Sequence, residues 1–207
     1  MLRILIVGLL LLSTPALAQN TQSFREVRSS STPAWLPRSA TLGLGLGAAT
    51  TLSAEGRLQW DFTIVQQRVD ALIAYVGVGG GLGLSLPSNV GFSGRFQALE
   101  TLNRATAQVG VGYRGDRGDW NWGFQAGAGP LLYEAKYRPD PDLGTLFGDE
   151  QHVVGWVEAR AQFGYRFSPT VAGGIAISFG SGLGRPRAAY AYDYLSGWIF
   201  GIYVDWR

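Results

Sequence analysis

The 207-residue sequence has no cysteine, one histidine and one methionine. Without cysteine, neither a disulfide framework nor a lipidated N-terminal cysteine is available. Charged residues make up 15% of the chain, against about 25% in ordinary soluble domains. Lys+Arg (17) and Asp+Glu (15) nearly balance, so no charge excess points to nucleic acid or an acidic polymer. Beyond the N-terminus no apolar stretch approaches the roughly 20 residues of a membrane helix. A helical membrane protein is excluded. Glycine (30) and aromatic residues (13%) are abundant instead. So few charges among so many apolar groups imply a surface that does not face water in the ordinary way.

Met1-Leu2-Arg3, the apolar run 4–12 and Ala16-Leu17-Ala18 form the basic start, hydrophobic segment and small-x-small cleavage site of a secretory signal peptide. The expected organisation is a signal peptide over 1–18, a flexible Ser/Pro-rich periplasmic lead-in over 19–38, and one domain over 39–207. Trp35 in the lead-in is a candidate lumen plug or interfacial anchor.

From residue 39 onward the dominant pattern is alternation with period two, the signature of strands. Leu42, Leu44 and Leu46 oppose Gly43, Gly45 and Gly47. Leu58, Trp60, Phe62 and Ile64 oppose Arg57, Gln59, Asp61 and Thr63, and similar alternation covers 72–86, 104–114, 119–128, 153–167, 171–180 and 192–206. Eight strands are predicted. Pro130 is expected to shift the register, marking a bulge or the membrane edge. The turns are expected near 53–56, 66–70, 115–118 and 168–169, with longer connections at 87–103, 138–151 and 181–189.

Alternation alone does not say which face is outside. The polar face mixes glycine with charges of both signs, which suits a narrow lumen. From the second onward, connections alternate short and long, the pattern of outer-membrane barrels with short periplasmic turns. Tyr113, Trp120, Trp122, Tyr165, Phe167 and Trp206 lie on the apolar face beside short turns or the C-terminus, where an aromatic girdle would meet headgroups. The expected fold is an all-β, transmembrane, antiparallel up-and-down barrel of eight strands.

Over 39–207 the chain resembles the small eight-stranded outer-membrane barrels of Gram-negative-type bacteria, such as the OmpA membrane domain and the OmpX-like proteins. Its last strand, with Gly201, Val204 and Trp206, is similar to the pattern such barrels present to the barrel assembly machinery. Arg207 and Phe200 depart from that pattern. The resemblance implies the outer membrane, with membrane lipid and lipopolysaccharide as partners, a monomer, and no nucleic acid.

Candidate site residues follow from the inward face. Arg57, Asp61, Arg104, Glu158 and Arg160 are expected to form a structural charge network in the lumen, Glu158 and Arg160 as a pair. Arg185 and Arg187, near Tyr190, Tyr192 and Tyr194, are candidates for lipopolysaccharide phosphates. No catalytic, cofactor or metal residues are assigned. His152 is the sole histidine, and Val154 stands where the His-x-Ser of lipid A deacylase barrels has its serine. The acidic residues Asp140, Asp142, Asp149 and Glu150 fail the EF-hand spacing and are expected to be a solvated loop. The tandem Arg-Gly-Asp over 114–119 overlaps a G-x-G-x-x-G match at Gly110, Gly112 and Gly115. A strand follows these glycines where a dinucleotide fold needs a helix, so both motifs belong to a hairpin turn. The function expected is non-enzymatic: envelope structure or surface contact through outer loops. The alternatives are a narrow transporter of small apolar molecules and a lipid-modifying enzyme.

Overall fold

A computed structural model describes residues 36–47, 51–85, 99–138, 148–187, 189 and 191–206. The expected signal peptide, Trp35 and most of the lead-in, as well as Asp140 and Asp142, lie outside the described residues. Eight antiparallel strands run β1 Ser39–Gly47, β2 Thr51–Gln67, β3 Asp70–Ser85, β4 Leu99–Arg117, β5 Trp120–Tyr137, β6 Glu150–Ser168, β7 Val171–Leu183 and β8 Gly197–Trp206. Each pairs with its sequence neighbour, and β1 closes on β8 from Ser39↔Asp205 to Gly47↔Gly197. Closure leaves no strand at a free edge of the sheet, so ladder groups are paired within the wall where neighbouring strands overlap. Among the described residues no helix is long and apolar enough to cross a membrane, a statement that does not bear on strands.

The side-chain alternation sorts the sequence radially. Leu42, Leu82 and Phe167 point outward and are 68%, 71% and 70% exposed, whereas Gln59 and Asp205 point inward and are 1% and 2% exposed. A soluble barrel would invert this distribution. On β4, β5 and β6 the outward aromatics interlock near the short turns. Trp120 stacks on Phe163 at 5.2 Å and meets Tyr165 edge-on at 5.4 Å, and Tyr113 meets Trp122 at 5.4 Å.

Residues 68–69, 118–119 and 169–170 make the turns at one end of the barrel, and 48–50, 86–98, 138–149 and 184–196 connect strands at the other. The first connection therefore belongs at 48–50. Residues 53–56 continue β2, because Gly56 pairs with both Leu42 and Gly80 and tolerates extended backbone where a turn was expected. The tight turn at 118–119 rests on Gly118 at φ 61°, a left-handed conformation that glycine adopts without a Cβ clash.

Pro130 causes no register shift. Thr106↔Leu131 and Val109↔Ala128 keep the same offset on either side of it, and only the intervening pairs are missing. What changes is the chemistry of the inward face. Asn121 and Gln125 give way to Leu131, Tyr133 and Tyr137, while Glu134 and Lys136 turn outward and pair at 3.6 Å. The lumen becomes apolar near the long connections, so hydrophobicity there follows the inside of the barrel.

Candidate functional site: the barrel lumen

Eight strands leave a lumen that side chains can fill. Near the long connections it is closed by an apolar cap. Leu102, Leu131, Tyr133, Val154 and Trp156 on the wall pack against Ala191 and Leu195 from the last connection, which forms a short 3-10 turn at Ala191–Tyr194. Glu150 stitches this cap to the wall. Its Oε1 accepts the Ala191 N–H at 2.6 Å and the Tyr137 hydroxyl at 2.7 Å. Ser181 and Ser196 hydroxyls meet at 2.9 Å. Glu150 is thus a buried acceptor; its loop neighbour Asp149 is exposed. Tyr192 and Tyr194 pack into the cap. The alternation that placed them outward on the last strand ends at Gly197, because the 3-10 turn redirects the chain.

Below the cap the lumen charges form three layers of spokes. In the first, the Arg104 guanidinium grips Glu55 through Nε at 2.9 Å and a closer Nη2 contact, donates Nη1 to the Leu195 carbonyl at 3.2 Å, and lies 5.7 Å over Trp156. In the second, Arg57 Nη1 meets Glu158 Oε1 at 2.5 Å, while Gln108 (2.9 Å) and the Trp156 indole (3.4 Å) donate to the other oxygen. Arg57 also lies 5.4 Å over Tyr75. The third, nearest the short turns, sets Arg114 against Asp61 and, at 3.4 Å, Asp205; Gln59 donates to Asp61 at 2.5 Å.

The five lumen residues named from sequence all point inward, but their pairing differs from the expected one. Glu158 does not pair with Arg160 among the described residues. The Glu158 carboxylate reaches across the lumen to Arg57 on β2 instead. Arg160 donates to the Thr41 hydroxyl on β1. Glu55, Arg114 and Asp205 complete the layers and were missed. Glu55 lay in the expected turn and Arg114 in the Arg-Gly-Asp motif, yet both keep the inward parity of their strands.

Glycine makes these spokes sterically feasible. A Cβ on Gly127 would run into the Tyr75 hydroxyl, one on Gly180 into Trp156, and one on Gly81 into the Glu55 carboxylate. Small residues on one strand create room for the long side chain of another.

The remaining candidates are peripheral. Arg185 and Arg187 are exposed in the last connection, and Arg185 donates to the Ala189 carbonyl at 3.4 Å. His152 sits 5.6 Å from the Tyr133 ring, with Nε2 3.7 Å from Glu150. Gly110, Gly112 and Gly115 all lie within β4. The Arg-Gly-Asp repeat is split: Arg114 is inside the lumen, Asp116 pairs with Arg166 at 3.3 Å, and Asp119 accepts from Tyr165 at 3.2 Å. Among the described residues no group of three or more acidic, histidine or cysteine side chains could hold a metal.

No protein-family model and no curated protein matches this sequence. Solved structures do match in fold. The outer membrane enzyme PagL aligns at TM-score 0.51 and 12% identity, over 82% of this chain and 99% of its own. Ail, the attachment invasion locus protein of Yersinia pestis, aligns at TM-score 0.44 and 9% identity, over 81% of this chain and 93% of its own. The PagL likeness extends to the eight-stranded barrel and no further.

Proposed function

We propose that this chain is a non-enzymatic outer-membrane barrel that serves envelope structure or surface contact through its long connections. The carrying observation is the radial sorting: an apolar, aromatic-edged exterior around a lumen filled by ion pairs and an apolar cap. Such an exterior is stable against lipid acyl chains and costly against water. In this reading membrane lipid surrounds the wall and the barrel assembly machinery inserts it. The exposed Arg185 and Arg187 meet lipopolysaccharide phosphates beside the cap, and the barrel works as a monomer. It assigns no chemistry to His152, which is flanked by Glu150 and Tyr133 and has Val154 two residues on.

The apolar cluster under the last connection favours one second reading, a narrow transporter of small apolar molecules that enter when that connection lifts. Fractionation and a conductance measurement test both. The purified barrel in planar bilayers is expected to give no stable open level, and the protein to fractionate with outer membranes. Steady conductance would refute the filled-lumen reading, and recovery in the soluble periplasm would refute the membrane reading. Uptake of an apolar fluorophore into proteoliposomes would favour the transporter.

A further inference from the structure

The outer wall of the barrel is not uniformly convex. Between β1 and β6 it carries a groove of about 550 Å³, within the range of about 300–1,000 Å³ over which small-molecule sites fall. Its floor is one row of cross-strand partners, Gly56↔Gly80↔Ala105, and the same row ends in Leu42 on β1 and Leu132 on β5. These two leucines stand as walls, 68% and 39% exposed. The barrel itself requires only part of this floor. A Cβ on Gly80 would meet the Arg104 carbonyl oxygen at 2.7 Å, whereas one on Gly56 would find Leu42 Cδ2 at 3.9 Å as its nearest neighbour. Gly56 points outward, so unlike Gly81 and Gly127 it makes room for nothing in the lumen.

The next row toward the long connections reads Leu44↔Ala54↔Leu82↔Asn103↔Glu134↔Gln151. It passes from apolar on β1–β3 to polar on β4–β6, and its members from Ala54 to Gln151 all border the groove. Strands in such a barrel tilt by about 35–45°, so a row of partners climbs obliquely through the bilayer. The change of character marks the place where this row leaves the acyl region for the headgroups, a level at which the half-exposed Glu134 and Lys136 pair. The groove is therefore amphiphilic along its length, apolar and deep toward Leu42, polar and shallow toward Gln151.

We propose that this groove holds an acyl chain of lipopolysaccharide, with the amino-sugar end of the lipid at Asn103, Glu134 and Gln151 and the chain running over Gly56 toward Leu42. The site, which presupposes the outer-membrane reading above and adds a partner to it, lies away from Arg185 and Arg187. No hydrophobic drive operates between surfaces that both face lipid, so a flat wall selects no lipid in particular. A groove adds packing contacts on several sides, and its polar end adds hydrogen bonds. Carboxamides such as Asn103 and Gln151 both donate and accept. That suits the amide-linked, hydroxylated chains of an acylated amino sugar, whereas the ester linkages of a glycerophospholipid only accept.

Barrel refolded in detergent without lipid and then offered lipid A is expected to bind a single molecule saturably in native mass spectrometry. Preference over phosphatidylglycerol should be about tenfold, the scale of one hydrogen bond in lipid. Gly56→Phe fills the groove and should weaken lipid A binding by about tenfold, as should Asn103→Leu at the polar end. Ile175→Phe, on the outward face of β7, should leave it unchanged. Equal binding of phosphatidylglycerol, unchanged binding in folded Gly56→Phe, or a dimer peak that Gly56→Phe abolishes would overturn the site. If Gly56→Phe does not fold, judged by its heat-dependent migration in SDS, Ala105→Phe on the same floor takes its place. Recovery of the native protein in the soluble periplasm would instead refute the membrane reading, whereas an inserted barrel that binds no lipid A refutes the groove alone.

Discussion

Replacing Arg57 with Met should destabilise the barrel more than replacing Arg160 with Met, although Arg160 is the sequence neighbour of Glu158 on the inward face. Removing Arg57 deprives a carboxylate whose side chain is 7% exposed of its 2.5 Å partner. Loss of one member of a buried ion pair costs about 3–5 kcal/mol. Gln108 at 2.9 Å and Trp156 at 3.4 Å remain as neutral donors, which puts the cost near the lower end, about 3 kcal/mol. For a chain of this size that is a loss of about 6–12 °C in the unfolding midpoint. Removing Arg160 forfeits a charge-assisted bond to Thr41 but strands no carboxylate, so its cost should stay near the lower end for such bonds, about 1.5 kcal/mol. In Arg57→Met/Glu158→Leu the stranded charge is gone, and well-packed apolar replacements of buried pairs are commonly neutral. The double variant should recover most of the loss. Urea unfolding of detergent-refolded protein, followed by tryptophan fluorescence and extrapolated linearly, measures all three. A larger loss for Arg160→Met than for Arg57→Met would refute the cross-lumen pairing.

Three further outcomes follow from the same geometry. Unboiled protein should migrate differently from boiled protein in SDS electrophoresis, since a closed barrel satisfies its backbone internally; identical migration would contradict closure. Glu150→Gln should weaken the cap by about 1–3 kcal/mol, because a charged acceptor of two bonds becomes neutral, and limited proteolysis within 184–196 should accelerate; an unchanged cleavage rate would show that another contact holds the cap. Beyond the apolar belt, burial and the Glu150 hydrogen bond raise the Tyr137 phenol above its usual value of 10.0. The stability tied to this phenol should therefore be fully present below about pH 10 and decline as pH rises beyond it, and Tyr137→Phe should flatten that decline.

Much of the barrel was legible because period-two alternation is a local property: the inward or outward parity of Arg57, Glu158 and Trp120 can be read from their neighbours. Partner choice was not, since Arg57 and Glu158 are 101 residues apart and meet only after the sheet closes. The aromatics of the cap were misplaced for a related reason. Tyr192 and Tyr194 continue the alternation of β8 in sequence, but a 3-10 turn withdraws them from the wall.

Pro130 is the most instructive case, because the apolar run after it was read as a shift in register when the barrel interior had changed instead. Proline lacks the N–H that a ladder needs, and the pairs nearest it are missing, while those beyond keep their offset. Restoring the donor in Pro130→Ala should regain about one hydrogen bond, roughly 0.5–1.5 kcal/mol, offset by about 0.4–1 kcal/mol from the freer unfolded chain. Net stability should change by less than about 1 kcal/mol. The register itself can be read by cross-linking, with no native cysteine to interfere. Thr106→Cys with Leu131→Cys should join across β4 and β5 both with Pro130 retained and in the Pro130→Ala background, as should Val109→Cys with Ala128→Cys. A one-residue slip beyond Pro130 would carry residue 131 to the outer face. The first pair would then stay reduced while a Thr106→Cys/Leu132→Cys pair formed instead, and both the continuous ladder and the apolar lining of the cap would be wrong.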